Sequence, residues 1–312
     1  MARVVGLGTL AMDVLIQVDR LPGADGFAVV NDRTSLPGGS GTNVIAQAAR
    51  LGADCTYLGK VGDDATGRAI IASLRDEGVN ADSMRVLPGG RSLSTTVVVD
   101  AEGQRFILLD LGDAFGTFSA GEVDLDAIRG ADVFYTDLLP WDAARAGIAA
   151  AQQAGVPIVV GMEVDLPTMQ GLGVSTDDIL GAISRADVFL PCRDGLAALA
   201  GSSDLEEGLA FLVDHCAGTS IVTLGAAGAV AVTPSGERIT VAGVPVTPID
   251  TTGAGDAFAG ALLAFRYGDG LEMGEAIRLA NAVAAASCTT LGARSGPNRD
   301  GLSAFLSSTT KE

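Results

Sequence analysis

The segment from Asp250 to Asp256, DTTGAGD, constrains this chain most strongly, because small and apolar residues fill the run 257–265 directly after it. Apolar or small residues on every face predict a buried helix over that run. The first turn of a helix carries backbone N–H groups without helical partners, and these groups attract anions. Glycines directly before the helix leave room for an anion to approach them.

Asp256 falls in the first turn of this predicted helix, beside the place where a phosphate would lie. An anion hole at Gly253, Ala254 and Gly255, next to a carboxylate that accepts a proton, is what in-line phosphoryl transfer requires. We expect the positive field of the helix end to lower the pKa of Asp256. Alternatively, Asp256 only stabilises the helix dipole and the glycines only make a tight entry. The buried helix and a second glycine cluster upstream favour the site.

Composition sets the class of protein. At 312 residues, with 48% hydrophobic and 19% charged residues, the chain can form one large α/β domain with a small appendage. The net charge of −18 argues against nucleic acid or an anionic membrane as partner. The four cysteines lack Cys-x-x-Cys spacing and there is one histidine, which predicts free thiols, no zinc site and a cytoplasmic location. No apolar run is long enough to span a bilayer.

The N-terminal segment predicts a buried strand over residues 3–7, followed by a Gly-x-Gly-x-x-Ala pattern starting at Gly6. That pattern binds dinucleotides only where a helix follows it, but residues 12–19 are typical of a strand, so an NAD-dependent oxidoreductase is a weak alternative. Asp13 lies in this second strand-like run. It is a candidate ligand group, or equally an edge-strand charge facing water.

A second glycine loop runs through Gly38 and Gly39 and leads into a predicted helix that contains Asn43 and ends at Gly52. Its glycines would let a polyhydroxylated ligand approach the backbone, and Asn43 offers both a donor and an acceptor. A tight strand-to-helix turn explains the same residues equally well. Gly59-Lys60 is not a P-loop, because Asp54 and Val61 replace the required glycine and Ser/Thr.

From about residue 53 to 245, strand-like and Ala-rich helical stretches alternate, which predicts a parallel sheet with helices on both faces. Ligands then bind at the carboxyl ends of the strands, where we expect Asp137, Glu163, Asp165 and the loop 223–228. Residues 94–99 and 105–109 flank a turn and predict a hairpin. With residues 14–36 it would form a small discontinuous β lid over a cleft, from about 14–36 and 92–118.

The two glycine motifs in this order, with the hairpin and the 223–228 loop, resemble the ribokinase-like (pfkB) carbohydrate kinases over essentially the whole of residues 1–312. The resemblance implies a three-layer α/β/α fold with a mostly parallel central sheet and a β-sheet lid. It implies an ATP-dependent kinase that phosphorylates a primary hydroxyl of a sugar, with Mg²⁺ arriving on ATP and a homodimer formed through the lid. A nucleoside kinase, or a kinase of phosphorylated or sulfonated ketoses, stays open. A non-catalytic sugar or nucleotide sensor is the alternative of another class.

The resemblance also implies residue roles. Asp256 matches the catalytic base, and the sugar site matches Asp13, Gly38, Gly39 and Asn43. The nucleotide site matches Thr223, Gly225, Gly228 and Asn281, and Asp250 matches a position beside a monovalent cation such as K⁺.

The chain departs from the family where an Asn-x-x-Glu pair influences magnesium and phosphate, because Cys192 and Gly195 stand there. The stretch Cys288 to Gly296 is similar to a sulfofructose kinase-like branch that also lacks the pair. This similarity suggests an anionic sugar, met by Arg294 or by Arg33 of the lid.

Overall fold

The computed structural model describes residues 1–309. An eight-stranded sheet forms its centre, with the order β14-β13-β12-β11-β10-β9-β1-β4 when strands are numbered along the chain. Six strands pair in parallel, and the last two strands at one end of the sheet are added through antiparallel pairing. The parallel strands are β1 (Arg3–Leu7), β4 (Asp54–Leu58), β9 (Val133–Thr136), β10 (Ile158–Met162), β11 (Val188–Pro191) and β12 (Thr219–Thr223). The antiparallel strands are β13 (Ala229–Val232) and β14 (Arg238–Val241).

A second sheet of four strands has the order β3-β2-β7-β8. Its strands are β2 (Ala11–Val18), β3 (Val30–Gly38), β7 (Ser94–Val99) and β8 (Arg105–Asp110). The hairpin predicted around residues 100–103 is confirmed, since β7 and β8 pair antiparallel. We call this four-stranded sheet the lid sheet, although its movement over the cleft stays a prediction. A separate pair of short strands is formed by β5 (Lys60–Gly62) and β6 (Arg85–Leu87).

Eleven α-helices of the described chain complete a three-layer α/β/α fold. They are α1 (Ser40–Arg50), α2 (Ala65–Asp76), α3 (Leu125–Arg129), α4 (Trp141–Ala154), α5 (Leu166–Gly171), α6 (Thr176–Ile183), α7 (Arg193–Ala200), α8 (Leu205–His215), α9 (Ala254–Leu262), α10 (Met273–Ser287) and α11 (Arg299–Thr309). A π-helical segment, Leu263–Gly268, continues α9. As expected from its composition, α9 is buried from Asp256 to its end.

The Gly-x-Gly pattern at Gly6 and Gly8 does not open a helix. The chain passes from β1 directly into β2, so no helix N-terminus faces a pyrophosphate there. The dinucleotide-binding alternative therefore lacks its structural requirement.

The carboxyl ends of the parallel strands meet the N-termini of α1 and α9 at one edge of the sheet. Asp137 follows β9, Glu163 follows β10 and Thr223 ends β12. Because strands of a parallel sheet point the same way, these positions share one rim. Their arrangement positions the site.

All four cysteines have free thiols, as the sequence predicted. Within residues 1–309, no helix combines the length and the apolar character needed to cross a bilayer.

Candidate active site

Asp256 lies in the first turn of α9 and is 8% exposed. Its Oδ1 accepts a hydrogen bond from Ser40 Oγ at 2.5 Å, and its Oδ2 accepts one from Asn43 Nδ2 at 2.8 Å. Both donors come from the first turns of α1, so the two glycine-preceded helices meet at this carboxylate. The sequence analysis did not identify Ser40. The available signal was a hydroxyl side chain at the first position of the helix that carries Asn43.

The expected lowering of the pKa of Asp256 is wrong. Burial raises the pKa of Asp256 to about 6, although hydrogen bonds from Ser40 and Asn43 and the charge of Arg294 lower it. The charge of Asp13 also raises it. Removing a carboxylate from water outweighs the helix end here, because a dipole of about half a charge supplies less than full hydration does.

The turn before α9 leaves amides for an anion. Gly253 has φ +75°, and a Cβ at this position would lie 2.2 Å from the Ala293 carbonyl oxygen, so only glycine fits. Among the described residues, the N–H groups of Gly255 and Asp256 have no protein acceptor. The N–H of Ala254 instead donates to the Thr251 carbonyl at 3.2 Å. Of the three predicted anion-hole residues, Gly253 and Gly255 therefore keep N–H groups without a protein acceptor among the described residues, whereas the N–H of Ala254 is used.

A polar cavity of about 340 Å³ opens in front of Asp256. Asp137 and Glu163 line it together with Ser40, Thr9 and the 253–256 turn. Asp165, expected on the same rim, does not join them, because its side chain accepts from Thr168 N and caps α5.

The pKa values of two further carboxyl groups in the cavity are raised. Asp137 is 3% exposed, and burial raises its pKa to about 6 despite the hydrogen bonds from the Thr9 and Leu139 amides. Burial, together with the charges of Asp256 and Asp137, also raises the pKa of Glu163. No side chain of the described residues donates a hydrogen bond to Glu163, so its oxygens are available to a ligand.

Of the predicted sugar-binding residues, Asp13 and Gly38 belong to strands β2 and β3 of the lid sheet, and Gly39 and Asn43 belong to the start of α1. Asp13 Oδ1 accepts from Thr95 Oγ1 of β7, and a Cβ on Gly38 would lie 2.1 Å from Asp13 Oδ2. Gly39 has φ +85° and forms the N-cap of α1. Asn43 donates one Nδ2 hydrogen to Asp256, and its Oδ1 accepts from Arg294 Nε at 2.7 Å.

The predicted nucleotide-binding residues line a second, mainly apolar pocket of about 430 Å³. Thr223, Gly225, Gly228 and Asn281 of α10 all line it, and Asn281 Nδ2 donates to the carbonyls of Val241 and Ala242. Gly255 borders both this pocket and the polar cavity. The free amide of the turn thus stands where an apolar site and a polar site meet.

Asp250 organises the loop before α9. Its two oxygens accept from Thr252 N and Gly292 N, each at 2.9 Å. Although partial burial acts in the opposite direction, these hydrogen bonds lower the pKa of Asp250, and the charge of Arg105 contributes.

Cys192 and Gly195 have a structural role at the position of the missing Asn-x-x-Glu pair. The Gly195 amide donates to Cys192 Sγ at 3.3 Å, which caps α7. A thiol so placed does not replace a carboxylate, and within residues 1–309 no group of three or more His, Cys, Asp or Glu side chains is arranged to hold a metal alone.

The arginines suggested for an anionic substrate are placed differently from expectation. Arg33 pairs with Ile16, so strand alternation puts it on the face of the lid sheet opposite Asp13. Four N–H groups of Arg294 are used inside the protein. Arg105, which the sequence did not single out, pairs with Val99 and lies on the Asp13 face. The signal in the sequence was its place in the predicted hairpin strand, where residues two positions apart, such as Arg105 and Ile107, share one face.

Comparison with known proteins finds a matching protein family and similar proteins along almost the whole chain. The sequence profile described as pfkB family carbohydrate kinase matches residues 1–300. The ATP-dependent ribose-1-phosphate kinase of Halopiger xanaduensis is 34% identical over 311 residues, covering 98% of this chain and 99% of the relative. The aminoimidazole riboside kinase of Salmonella typhimurium is 32% identical over 293 residues, covering 89% of this chain and 90% of the relative.

Solved structures share the fold. A ribokinase from Arabidopsis thaliana complexed with ribose and ATP has a TM-score of 0.86 at 24% identity, covering 98% of each chain. A putative ribokinase II from E. coli in complex with ATP and Mg²⁺ has a TM-score of 0.84 at 24% identity, covering 99% of this chain and 100% of that one. The predicted α/β fold with a mostly parallel sheet is confirmed.

Proposed function

The chain belongs to the pfkB family of carbohydrate kinases, and we propose that it transfers the γ-phosphoryl group of ATP to a primary hydroxyl of a sugar or sugar derivative. One observation carries the proposal. The buried Asp256 lies beside free amides of a helix start, between a polar cavity and an apolar pocket. A sugar in the cavity and a nucleotide in the pocket would meet at this carboxylate.

Asp256 acts as the general base. The hydroxyl oxygen forms a bond to the γ-phosphorus while the bond from that phosphorus to the β-γ bridging oxygen breaks, and ADP leaves with the electron pair. The hydroxyl proton passes to Asp256. With its pKa raised to about 6, Asp256 is a stronger base than an ordinary aspartate and is still ionised at pH 7. Since an alcohol is a far weaker acid, the proton moves late, as the bond to phosphorus forms.

The Gly255 and Asp256 amides stabilise the charge that develops on the transferred phosphoryl oxygens. They are fixed by the Gly253 turn and need no reorganisation during the reaction. Thr223, Gly225, Gly228 and Asn281 would hold the nucleoside part of ATP in the apolar pocket.

Magnesium fits this site as part of MgATP. Carboxylate oxygens are the ligands that Mg²⁺ prefers, and Glu163 and Asp137 present them at the cavity. Bound there, largely through water, the ion would neutralise charge on the β- and γ-phosphates. This placement lets Glu163 take over from the missing Asn-x-x-Glu pair.

Asp250 remains a candidate for a K⁺ site, which activity in KCl against tetramethylammonium chloride would test. We place the enzyme in the cytoplasm, where ATP is supplied and where free thiols persist.

Replacing the base tests the proposal. Asp256→Asn keeps the shape of the side chain and removes the proton acceptor, so turnover should fall at least ~100-fold while MgATP still binds. ADP release would be scored on ribose, ribose-1-phosphate, fructose, nucleosides, ketodeoxygluconate and sulfonated or phosphorylated ketoses. Near-normal turnover of the variant contradicts the assignment. Binding of a sugar without ADP release from the unmodified protein would instead support a sensor.

A phosphorylated sugar is a second candidate acceptor, favoured by Arg105. This residue lies on the Asp13 face of the lid sheet, is exposed and has no ion pair among the described residues. A cation on that face of a chain with net charge −18 would attract the anionic group of a substrate. The similarity to a ribose-1-phosphate kinase points the same way.

Arg105→Gln should raise the KM for ribose-1-phosphate about 10- to 100-fold, because a charge-assisted hydrogen bond contributes about 1.5 to 3 kcal/mol. The kinetics with ribose should change little. Arg33→Gln is the matched control, since it removes a cation from the opposite face of the same sheet. An equal loss of kcat with both acceptors would show that Arg105 acts on ATP instead.

We also propose a homodimer formed through the lid sheet. Strand β8 is the edge of that sheet, and its apolar side chains Ile107, Leu108 and Leu109 are more than half exposed, at 57%, 59% and 52%. A second copy of the chain would cover them.

A further inference from the structure

Arg294 lies behind the catalytic carboxylate, in the loop between α10 and α11. Its Nε donates to Asn43 Oδ1 at 2.7 Å, and its Nη2 donates to Thr42 Oγ1 at 2.8 Å and to the Gly38 carbonyl at 3.3 Å. Its Nη1 donates to Ser73 Oγ at 3.2 Å. Arg294 therefore ties the second glycine loop and α2 to the loop that follows α10. With four of its five N–H groups used in this way, it is committed to the protein.

The guanidinium decides which way the Asn43 amide points. An arginine can only donate hydrogen bonds, so the Asn43 atom that faces it must be the carbonyl oxygen. The NH₂ group then faces Asp256 and donates to Oδ2 at 2.8 Å. If the amide turned over, its oxygen would face a carboxylate oxygen, and both would be acceptors without a proton between them.

We propose that Arg294 is a positioning residue for phosphoryl transfer, which holds Asn43 in the orientation that donates to Asp256 and so fixes the reacting carboxylate. The proposal rests on the proposed role of Asp256 as base. In this role Arg294 needs no direct contact with an anionic substrate.

Charge supports the same role. Burial lowers the pKa of Arg294 to about 10, which leaves the group cationic at neutral pH. The titratable groups that act on Asp256 or feel its charge are Asp13 from β2, Tyr135 from β9, Asp137 after β9, Glu163 after β10, and Arg294. Of these groups only Arg294 is positive. Its loss would leave the base among acids and without an oriented donor.

The test compares pH profiles of kcat for Arg294→Met and the unmodified enzyme, with MgATP and the panel acceptor that has the highest kcat/KM. At pH 7.5 we expect kcat to fall about 10- to 100-fold with the KM for MgATP unchanged. The acid limb should move upward by about one pH unit, because the ionised form of Asp256 loses a cation and a donor.

Arg50→Met is the matched control. Arg50 Nη1 donates to the carbonyls of Arg294 and Gly296 in the same loop, and the rest of its guanidinium pairs with Glu77, so it donates no hydrogen bond to Asn43. We expect a lower melting temperature and an unmoved acid limb. Arg294→Lys keeps the charge but not the fork, so kcat should fall while the limb stays close to that of the unmodified enzyme.

Coupling shows whether Arg294 acts through Asn43. In an Asn43→Ala background, Arg294→Met should cost much less of kcat than it does alone. An unmoved acid limb in Arg294→Met, full kcat in Arg294→Lys, or equal costs in both backgrounds would each overturn the inference. Asp256→Asn is measured in parallel. If Asp256→Asn is inactive and the Arg294 outcomes fail, only this inference falls, whereas an active Asp256→Asn removes the proposed function itself.

Discussion

At the scale of single residues, Asp256 combines two properties that usually oppose each other. It is buried, which favours its neutral form, and its proposed role as base requires the ionised form. Two hydrogen bonds from α1 offset part of the cost of burial. The outcome is a pKa of about 6, which is high for an aspartate and still low enough for ionisation at neutral pH.

The pH dependence of turnover follows from this balance. In the proposed mechanism activity requires ionised Asp256, so kcat should fall as the pH drops below about 6. Ser40→Ala removes a hydrogen bond that lowers the pKa, and the acid limb should therefore move to higher pH, with most activity regained at pH 8. Ser295→Ala is the control, since its hydroxyl donates to the Ser287 carbonyl and does not contact Asp256. Coincident limbs for Ser40→Ala and the unmodified enzyme would contradict this account.

At the scale of elements, the site depends on how α9 begins. Gly253 turns the chain with φ +75° directly against the loop that carries Ala293 and Arg294. The same turn exposes the amides that would meet a phosphate. Gly253 therefore connects the proposed anion hole to the loop that lies behind the proposed base.

Gly253→Ala should both destabilise the protein and reduce turnover. The positive φ strains any residue with a Cβ, and the Cβ would also lie 2.2 Å from the Ala293 carbonyl oxygen, so the loop must move. We expect a loss of about 2 to 4 kcal/mol in the free energy of unfolding and at least ~10-fold in kcat.

Gly155→Ala separates these two causes. Gly155 has φ +71° after α4, and a Cβ there meets nothing within 4 Å. It should cost about 1 kcal/mol in denaturant unfolding and leave kcat unchanged. Equal destabilisation by the two variants, with full turnover in both, would show that the contact with Ala293 does not matter.

At the scale of the whole molecule, the lid sheet links the candidate site to the proposed dimer. Its Asp13 face lies toward Asp256 and also carries the exposed Ile107 and Leu109 of the edge strand β8, whereas the exposed Leu108 lies on the opposite face. A chain of net charge −18 disfavours random association, so a stable dimer needs such a local apolar surface.

Leu108→Asp should convert the proposed dimer to a monomer. Leu108 is 59% exposed and lies on the face opposite Asp13, so a charge there opposes burial by a second copy without entering the cleft. Size-exclusion chromatography with light scattering measures the result at micromolar concentration. Val86→Asp, at an exposed residue of β6 outside the lid sheet, is the control. A monomeric unmodified protein, or a dimeric Leu108→Asp, would contradict the lid interface.

The sequence alone determined the central sheet, the hairpin of the lid sheet and the meeting of a glycine turn with Asp256. These features are written in short stretches of chain, where periodicity and glycine spacing set the local conformation. The position of Gly52 just after α1 is of the same kind.

Only the tertiary structure decided the electrostatics of the site and which side chains line it. It buried Asp256 and reversed the expected pKa shift, and it brought Asp137 and Glu163 to the cavity but left Asp165 as a helix cap. It also turned Arg294 inward and put Arg105 rather than Arg33 on the Asp13 face. Burial and side-chain direction depend on packing partners that are far away in the chain. Local sequence patterns do not reveal which of these partners meet.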